Sequence, residues 1–186
     1  AGGYQANSSL RKKYQPEHMA TTPYLGTHHD VGDGHIMGQE VGGELINMTM
    51  IPPLIMVGSA LVEDSIAVNT LGRRFHDEAG PYDYRVQELN KQPNKTAYYI
   101  YDNQTYLKKR QLINEMPQTP SSANSLMELA QTIGSDHKAL EEAVTRWNDF
   151  LTSSEKKDPD FGRVILPAER RAILEPPYFA SKMITG

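Results

Sequence analysis

Residues 68–82, Val-Asn-Thr-Leu-Gly-Arg-Arg-Phe-His-Asp-Glu-Ala-Gly-Pro-Tyr, constrain the fold more than any other stretch of the chain. Ala67 to Asn69 reads as a strand and Thr70-Leu71-Gly72 as a tight turn. A second strand returns through Arg74-Phe75, which makes a hairpin over 65–76. A charged and aromatic loop follows, with Glu78, Tyr82 and Tyr84.

The remaining secondary structure is read from periodicity. Gly32-Asp33-Gly34 opens a helix on which Met37, Val41 and Leu45 recur every four residues as one apolar stripe. Residues 46–62 alternate poorly and hold two prolines, so strand pieces and a connection are expected there. Thr96 to Asp102 is dense in β-formers and reads as a strand. Residues 105–115 suit a short helix. Ser125-Leu-Met-Glu128 fits a capping box, with Leu126, Leu129, Ala130 and Ile133 at helical spacing and Gly134 placed to end the helix. A second helix starts near Asp136 and carries Leu140, Val144, Trp147 and Leu151 on one face. Pro167 is suited to open a last helix, 168–174, and Pro176-Pro177 forces extended backbone.

Composition narrows the function classes. The chain has 186 residues with 19 basic and 23 acidic side chains, interspersed, for a net charge of -4. That balance does not suit nucleic acid or an anionic membrane. The apolar stretch 51–62 is broken by Pro52, Pro53, Gly58 and Ser59 and is too short for a membrane span. No signal-peptide pattern opens the chain. The absence of cysteine excludes disulfides, thiolate catalysis and Cys-ligated metals, and fits a cytoplasmic protein. The sequons at Asn7, Asn47, Asn94 and Asn103 read as chance without a secretory signal. His28, His29, Asp30 and His35 make a weak metal signal, because no second ligand set has recognisable spacing; no metal is expected. The first residues, Ala1-Gly2-Gly3-Tyr4, and the last, Ile184-Thr185-Gly186, look like cuts inside a longer protein.

The hairpin resembles the "VN-x-x-G-x-RF-x-x-E" element of the FAD-binding flavoprotein superfamily that holds fumarate reductase, succinate dehydrogenase and the 3-ketosteroid dehydrogenases. Other segments match in the same order. Ala1-Gly2-Gly3-Tyr4 with Asn7 is similar to a "GG-[FY]-x-x-N" turn. Gly32-Asp33-Gly34, Met37 and Gly42-Gly43-Glu44-Leu45 resemble "GDG-x-x-M…G-A-x-L", with Gly43 where alanine is usual. Ser125 to Asn148 resembles a pair of helices in the family's cap domain. Asp158-Pro-Asp-Phe-Gly-Arg163 resembles a "D-x-D-F-G-R" loop, and Pro176-Pro177-Tyr178-Phe179-Ala180 a "P-P-[FY]-[YF]-A" return segment.

The resemblance implies an α+β cap (catalytic) domain of antiparallel strands with peripheral helices over residues 50–174. Residues 1–49 would belong to the FAD-binding domain, and 175–186 would return to it. It implies FAD in the full-length parent, with Gly2, Gly3, Gly32, Asp33 and Gly34 beside the cofactor. The Gly-x-Gly-x-x-Gly turn that grips the pyrophosphate is missing, so this fragment alone is not expected to bind FAD tightly. The implied partners are a small-molecule substrate, steroid-like or dicarboxylate, and the parts of the parent on either side.

Fumarate reductases carry an arginine four residues after the hairpin glutamate, where this chain has Tyr82, and "H-P-T" where it has Ile51-Pro52-Pro53. Glu78-Ala79-Gly80-Pro81-Tyr82 instead resembles the "E-[SA]-x-P-Y" of the 3-ketosteroid dehydrogenases. By that resemblance Tyr82 is the candidate for proton abstraction and Tyr178 a candidate for the same pocket. The parent would add or remove hydrogens across a C–C bond next to a carbonyl. A fumarate reductase-like enzyme and a non-catalytic binding module with the cap fold are the alternatives. Arg74 and Glu78 are expected to orient the hairpin by pairing, and Trp147 to lie in the core.

Overall fold

The computed structural model describes residues 2–20, 24, 26–49, 59–62, 64–116, 118–164 and 171–183. The chain divides into two compact units, one within residues 1–54 and one within residues 55–184.

Among its described residues the first unit contains three helices, α1 (Ser8–Tyr14), α2 (Glu17–Ala20) and α3 (Asp33–Glu40). Asn7 starts α1 by accepting from the amides of Ser9 and Leu10, both at 3.1 Å. Its side-chain amide donates to the Val31 carbonyl at 2.9 Å, and the Gly32 amide donates to the Gly3 carbonyl at 3.1 Å. The two glycine turns are thereby fastened side by side. Gly32 has φ +87°, and a Cβ there would lie 2.6 Å from Leu10 Cδ1 and 3.0 Å from Tyr4 Cβ, so both backbone and packing require glycine. The apolar stripe expected on α3 is not a buried face. The helix ends at Glu40, where Gly42 turns left-handed and the Gly43 amide bonds the Gly38 carbonyl. Met37 is 63% and Val41 87% exposed.

The second unit is built on a four-stranded antiparallel sheet in the order β1-β2-β4-β3. It begins with helix α4 (Ser59–Val62), and its strands are β1 (Ile66–Asn69), β2 (Ala97–Tyr101), β3 (Ser121–Ala123) and β4 (Tyr178–Lys182). Helix α5 (Tyr82–Asn90) follows β1. Helices α6 (Asn103–Lys108) and α7 (Arg110–Asn114) follow β2, and α8 (Leu126–Ile133) and α9 (His137–Thr152) follow β3. Alternation along each strand makes two cores. Ile66, Val68, Ile100 and Ala180 face one way, onto Leu129, Ile133, Leu140, Val144, Trp147 and Leu151 of α8 and α9. Ala67, Tyr99, Tyr101, Phe179 and Met183 face the other, with Val86 and Leu89 of α5, Leu61 and Val62 of α4, and Ile113 of α7. Strand β2 is apolar on both faces because both are covered. Each fully buried large side chain contributes about 1.5–3 kcal/mol by leaving water.

The expected helix pair forms as read. The Ser125 hydroxyl accepts from the Glu128 amide at 3.2 Å, and Glu128 reaches back to the amide of Asn124 rather than that of Ser125. Gly134 is left-handed, and Asp136 caps α9 through the Ala139 amide at 2.8 Å. Three readings change. The return strand of the hairpin is a single bridge, Val68 to Arg74. The helix expected over 105–115 breaks at Lys109 into α6 and α7. Arg171 to Leu174 is not helical, because Asn148 clamps both the amide (2.8 Å) and the carbonyl (3.0 Å) of Ile173. The rest of the expected helix, 168–170, and most of the expected strand pieces, 50–58, lie outside the described residues. The segment expected to return to the flavin domain contributes β4 to this sheet.

Candidate functional site

The hairpin is held by its own side chains. Asn69 Oδ1 accepts from the amides of Leu71 (3.0 Å) and Arg73 (3.1 Å), which fixes the turn. Gly72 sits at φ +74°, and a Cβ there would lie 2.6 Å from the Asp136 carbonyl oxygen and 2.7 Å from the Leu140 amide nitrogen. The turn therefore presses backbone against the first turn of α9, and only glycine fits.

Behind the turn lies a buried ionic lattice. Glu78 is fully buried and accepts at 2.9 Å from the Ala67 amide, from Nε and Nη2 of Arg74, and from Nη1 of Arg163. Arg74 also grips Asp158 through two parallel bonds of 3.1 and 2.8 Å. Arg163 donates to the carbonyls of Ser65 (3.0 Å) and Val62 (2.7 Å). Both guanidinium groups lie over the Trp147 ring, at 4.8 and 5.0 Å from its centroid. Burial opposes the charged form of Glu78, but Arg74, Arg163 and the Ala67 amide overcome it and bring its pKa down to about 2. The pairing role expected of Arg74 and Glu78 is what the structure shows. Their partners Asp158 and Arg163, some eighty residues away, carried no pairing signal in the sequence.

Beyond Glu78 the chain turns into α5. The Ala79 amide bonds Asp77 Oδ1 at 2.8 Å, and the Gly80 amide bonds the Asp77 carbonyl at 3.0 Å. Tyr82 is the first residue of α5. Arg85, 7% exposed, donates from Nε to the Gly80 carbonyl at 2.8 Å. His76 is fully buried beneath this turn, with Nδ1 2.8 Å from the Asp77 carbonyl and Nε2 unpartnered. Burial lowers its pKa. The Tyr99 hydroxyl is buried nearby, and burial raises its pKa against the pull of Arg85.

Tyr178 lies elsewhere. It packs against the α8–α9 core, whereas α5 packs on the opposite face of the sheet through Val86 and Leu89. Its hydroxyl donates to the Leu174 carbonyl at 2.9 Å, and burial raises its pKa. From β4 it is Phe179 that faces the α5 side, stacked on Tyr106 (4.4 Å) and Tyr101 (5.5 Å). Next to it the Tyr101 and Ser181 hydroxyls are 2.9 Å apart.

In the first unit the bond from the Gly32 amide to the Gly3 carbonyl links the two glycine turns; Gly2 and Asp33 are exposed, Gly3 and Gly34 half-buried, and Gly32 buried. Asp33 occupies the first turn of α3, where a pyrophosphate would meet a like charge. Among the described residues no cluster of three or more His, Asp or Glu side chains is placed to hold a metal. Nor is any helix there long and apolar enough to cross a membrane.

No family model matches the sequence. The chain is 32% identical to "Fumarate reductase (cytochrome)" of Shewanella frigidimarina over 201 residues, covering all of this chain and 33% of that protein. It is 27% identical to "3-oxosteroid 1-dehydrogenase" of Mycolicibacterium smegmatis over 229 residues, covering all of this chain and 40% of that protein. The open conformation of a flavocytochrome c3 fumarate reductase matches with a TM-score of 0.77 at 25% identity, over all of this chain and 34% of that one. The chain thus spans between a third and two fifths of the length of these relatives. With the hairpin, the antiparallel sheet and the α8–α9 pair in place, the chain belongs to the flavoprotein superfamily of fumarate reductases and 3-ketosteroid dehydrogenases, of which it is a fragment that includes the cap fold.

Proposed function

We propose that this chain is the substrate-side part of an FAD-dependent oxidoreductase that adds or removes hydrogens across a C–C bond next to a carbonyl. The observation that carries the reading is Tyr82 at the head of α5, directly after a loop anchored by Glu78 and Arg85. In the parent, bound FAD would supply the hydride-exchanging group. Tyr82 moves the proton on carbon, and Gly2, Gly3, Gly32, Asp33 and Gly34 line the cofactor's flank. The phosphate grip comes from outside this chain. Tyr178 is proposed for the pocket by resemblance alone, and its hydroxyl must give up the Leu174 carbonyl to reach a ligand. The ketosteroid-like chemistry is favoured by a tyrosine where a dicarboxylate enzyme needs a cationic clamp. A fumarate reductase-like enzyme is the second reading, supported by the 32% identity to the Shewanella protein.

The test is the visible absorption spectrum of the full-length parent before and after adding a 3-ketosteroid, and after reduction and addition of fumarate. Bleaching by the steroid supports the first reading, and reoxidation by fumarate supports the second. A folded, colourless parent that gains no colour with added FAD refutes both and leaves a binding module.

A further inference from the structure

A polar atom buried without a partner has given up water and gained nothing in return, so it calls for an explanation. Two such atoms lie near the turn that leads into α5. Nε2 of His76 and the hydroxyl of Tyr99 have no hydrogen-bond partner in the protein, and both residues are fully buried. They share one neighbourhood. The His76 ring lies 4.6 Å from that of Phe75, and Phe75 packs against the cluster that contains Tyr99. The same ring sits edge-on to Tyr84 of α5 at 6.3 Å. The charges of Glu78 and Arg85 act on both groups.

The two atoms are chemically complementary. A carbonyl only accepts, so the 2.8 Å contact between His76 Nδ1 and the Asp77 carbonyl places the hydrogen of the neutral ring on Nδ1. Burial favours that neutral ring. Nε2 is then a bare lone pair that needs a donor, and the Tyr99 hydroxyl carries a hydrogen that needs an acceptor. The two charges that act on both groups do not supply one. Each oxygen of Glu78 already accepts two bonds. Arg85 has only donors, so it cannot take the phenol hydrogen.

We propose that His76 and Tyr99 form an internal site for one small molecule that both accepts and donates a hydrogen bond, which is water in the resting protein. The water accepts the Tyr99 hydrogen and donates to His76 Nε2; two polar partners are enough to hold a buried water. The Asp77 carbonyl that holds His76 also holds the Gly80 amide, at 3.0 Å. The site therefore ties the turn before α5 to the middle of strand β2. It does not depend on which reaction the parent catalyses.

High-resolution diffraction from crystals of the full-length parent tests the site directly. The expected result is one ordered water within about 3.2 Å of both His76 Nε2 and Tyr99 Oη. A direct bond between the two side chains overturns the proposal, as does another protein group on either atom or the lack of ordered solvent between them. A thermal double-mutant cycle on the same protein is the second test. Y99F and H76F each leave the water one bond short, so together they lower Tm by less than the sum of the two separate losses. Additive losses, as from two side chains that pack independently, overturn the proposal. If H76F does not fold, the diffraction result on the unaltered protein decides alone.

Discussion

Replacing Glu78 by glutamine takes away the one carboxylate that Arg74 and Arg163 share. Glutamine keeps one oxygen to accept from the Ala67 amide, and it turns an NH2 group towards a guanidinium that is itself a donor. Arg74 retains Asp158, whereas Arg163 loses its bond to Glu78 and retains among others the Ser65 and Val62 carbonyls and the face of Trp147. Removing one partner of such a pair costs about 3–5 kcal/mol. The surviving contacts put this variant near the lower end, about 3 kcal/mol, a large fraction of a domain's stability of about 5–15 kcal/mol. Trp147 is the only tryptophan and lies under both arginines, so its fluorescence in urea reports on the site itself. With a slope of about 1–3 kcal/mol per molar, the midpoint of E78Q falls by roughly 1–3 M. A shift below about 0.3 M at unchanged slope refutes the view that this lattice holds the hairpin. The paired replacement Glu78→Leu with Arg163→Met is expected to recover much of the loss, because it leaves no charge stranded.

The same lattice fixes the acid limb of stability. Glu78 falls from about 4.3 in an unfolded chain to about 2 here, so its contribution of about 3 kcal/mol is complete above pH 4.3 and lost as pH falls through about 2, as acid titration of unfolding would record. His76 has its pKa lowered by burial, so its contribution is complete above about pH 6.5 and declines as pH drops below that value; His76→Phe should flatten unfolding midpoints between about pH 7 and 5. Gly72→Ala meets the Asp136 and Leu140 backbone in a left-handed turn and is expected to lower stability by about 2 kcal/mol or more in urea. Tyr178→Phe separates pocket from packing: a tenfold loss of turnover in the parent supports a pocket role, and a change in Tm alone assigns Tyr178 to the core.

What could be read from the residues follows the strength of local signals. The α8–α9 pair was legible because caps and apolar spacing agree, and β2 because Ala97 to Tyr101 is all β-former or small. Ser121-Ser122-Ala123 carries no apolar pattern, so β3 is visible only from its pairing with β4. The break at Lys109 is set from outside the helix. Lys108 and Lys109 both reach Asp64, at 3.0 and 3.1 Å, and adjacent side chains on an unbroken helix diverge by about 100°. The stripe of Met37 and Val41 has the right period, but the described residues provide no surface that buries it. At the candidate site the Glu78 pairing was legible. The Arg85–Gly80 bond was not, because a side chain gripping a carbonyl five residues back leaves no mark in composition.

The strand order carries a consequence for synthesis. Strand β2 finds β1 within about thirty residues, but its other edge waits for β4, some eighty residues later, and β4 must enter between β2 and β3. On a ribosome, everything up to the Asp158–Arg163 loop can be made while two strand edges and the Tyr101 side of the sheet stay open. Exposed edges of this kind pair readily with other chains. The last strand is thus the closing step of a high-contact-order sheet, and a chain stopped before Tyr178 would keep a half-built sheet available to any neighbour.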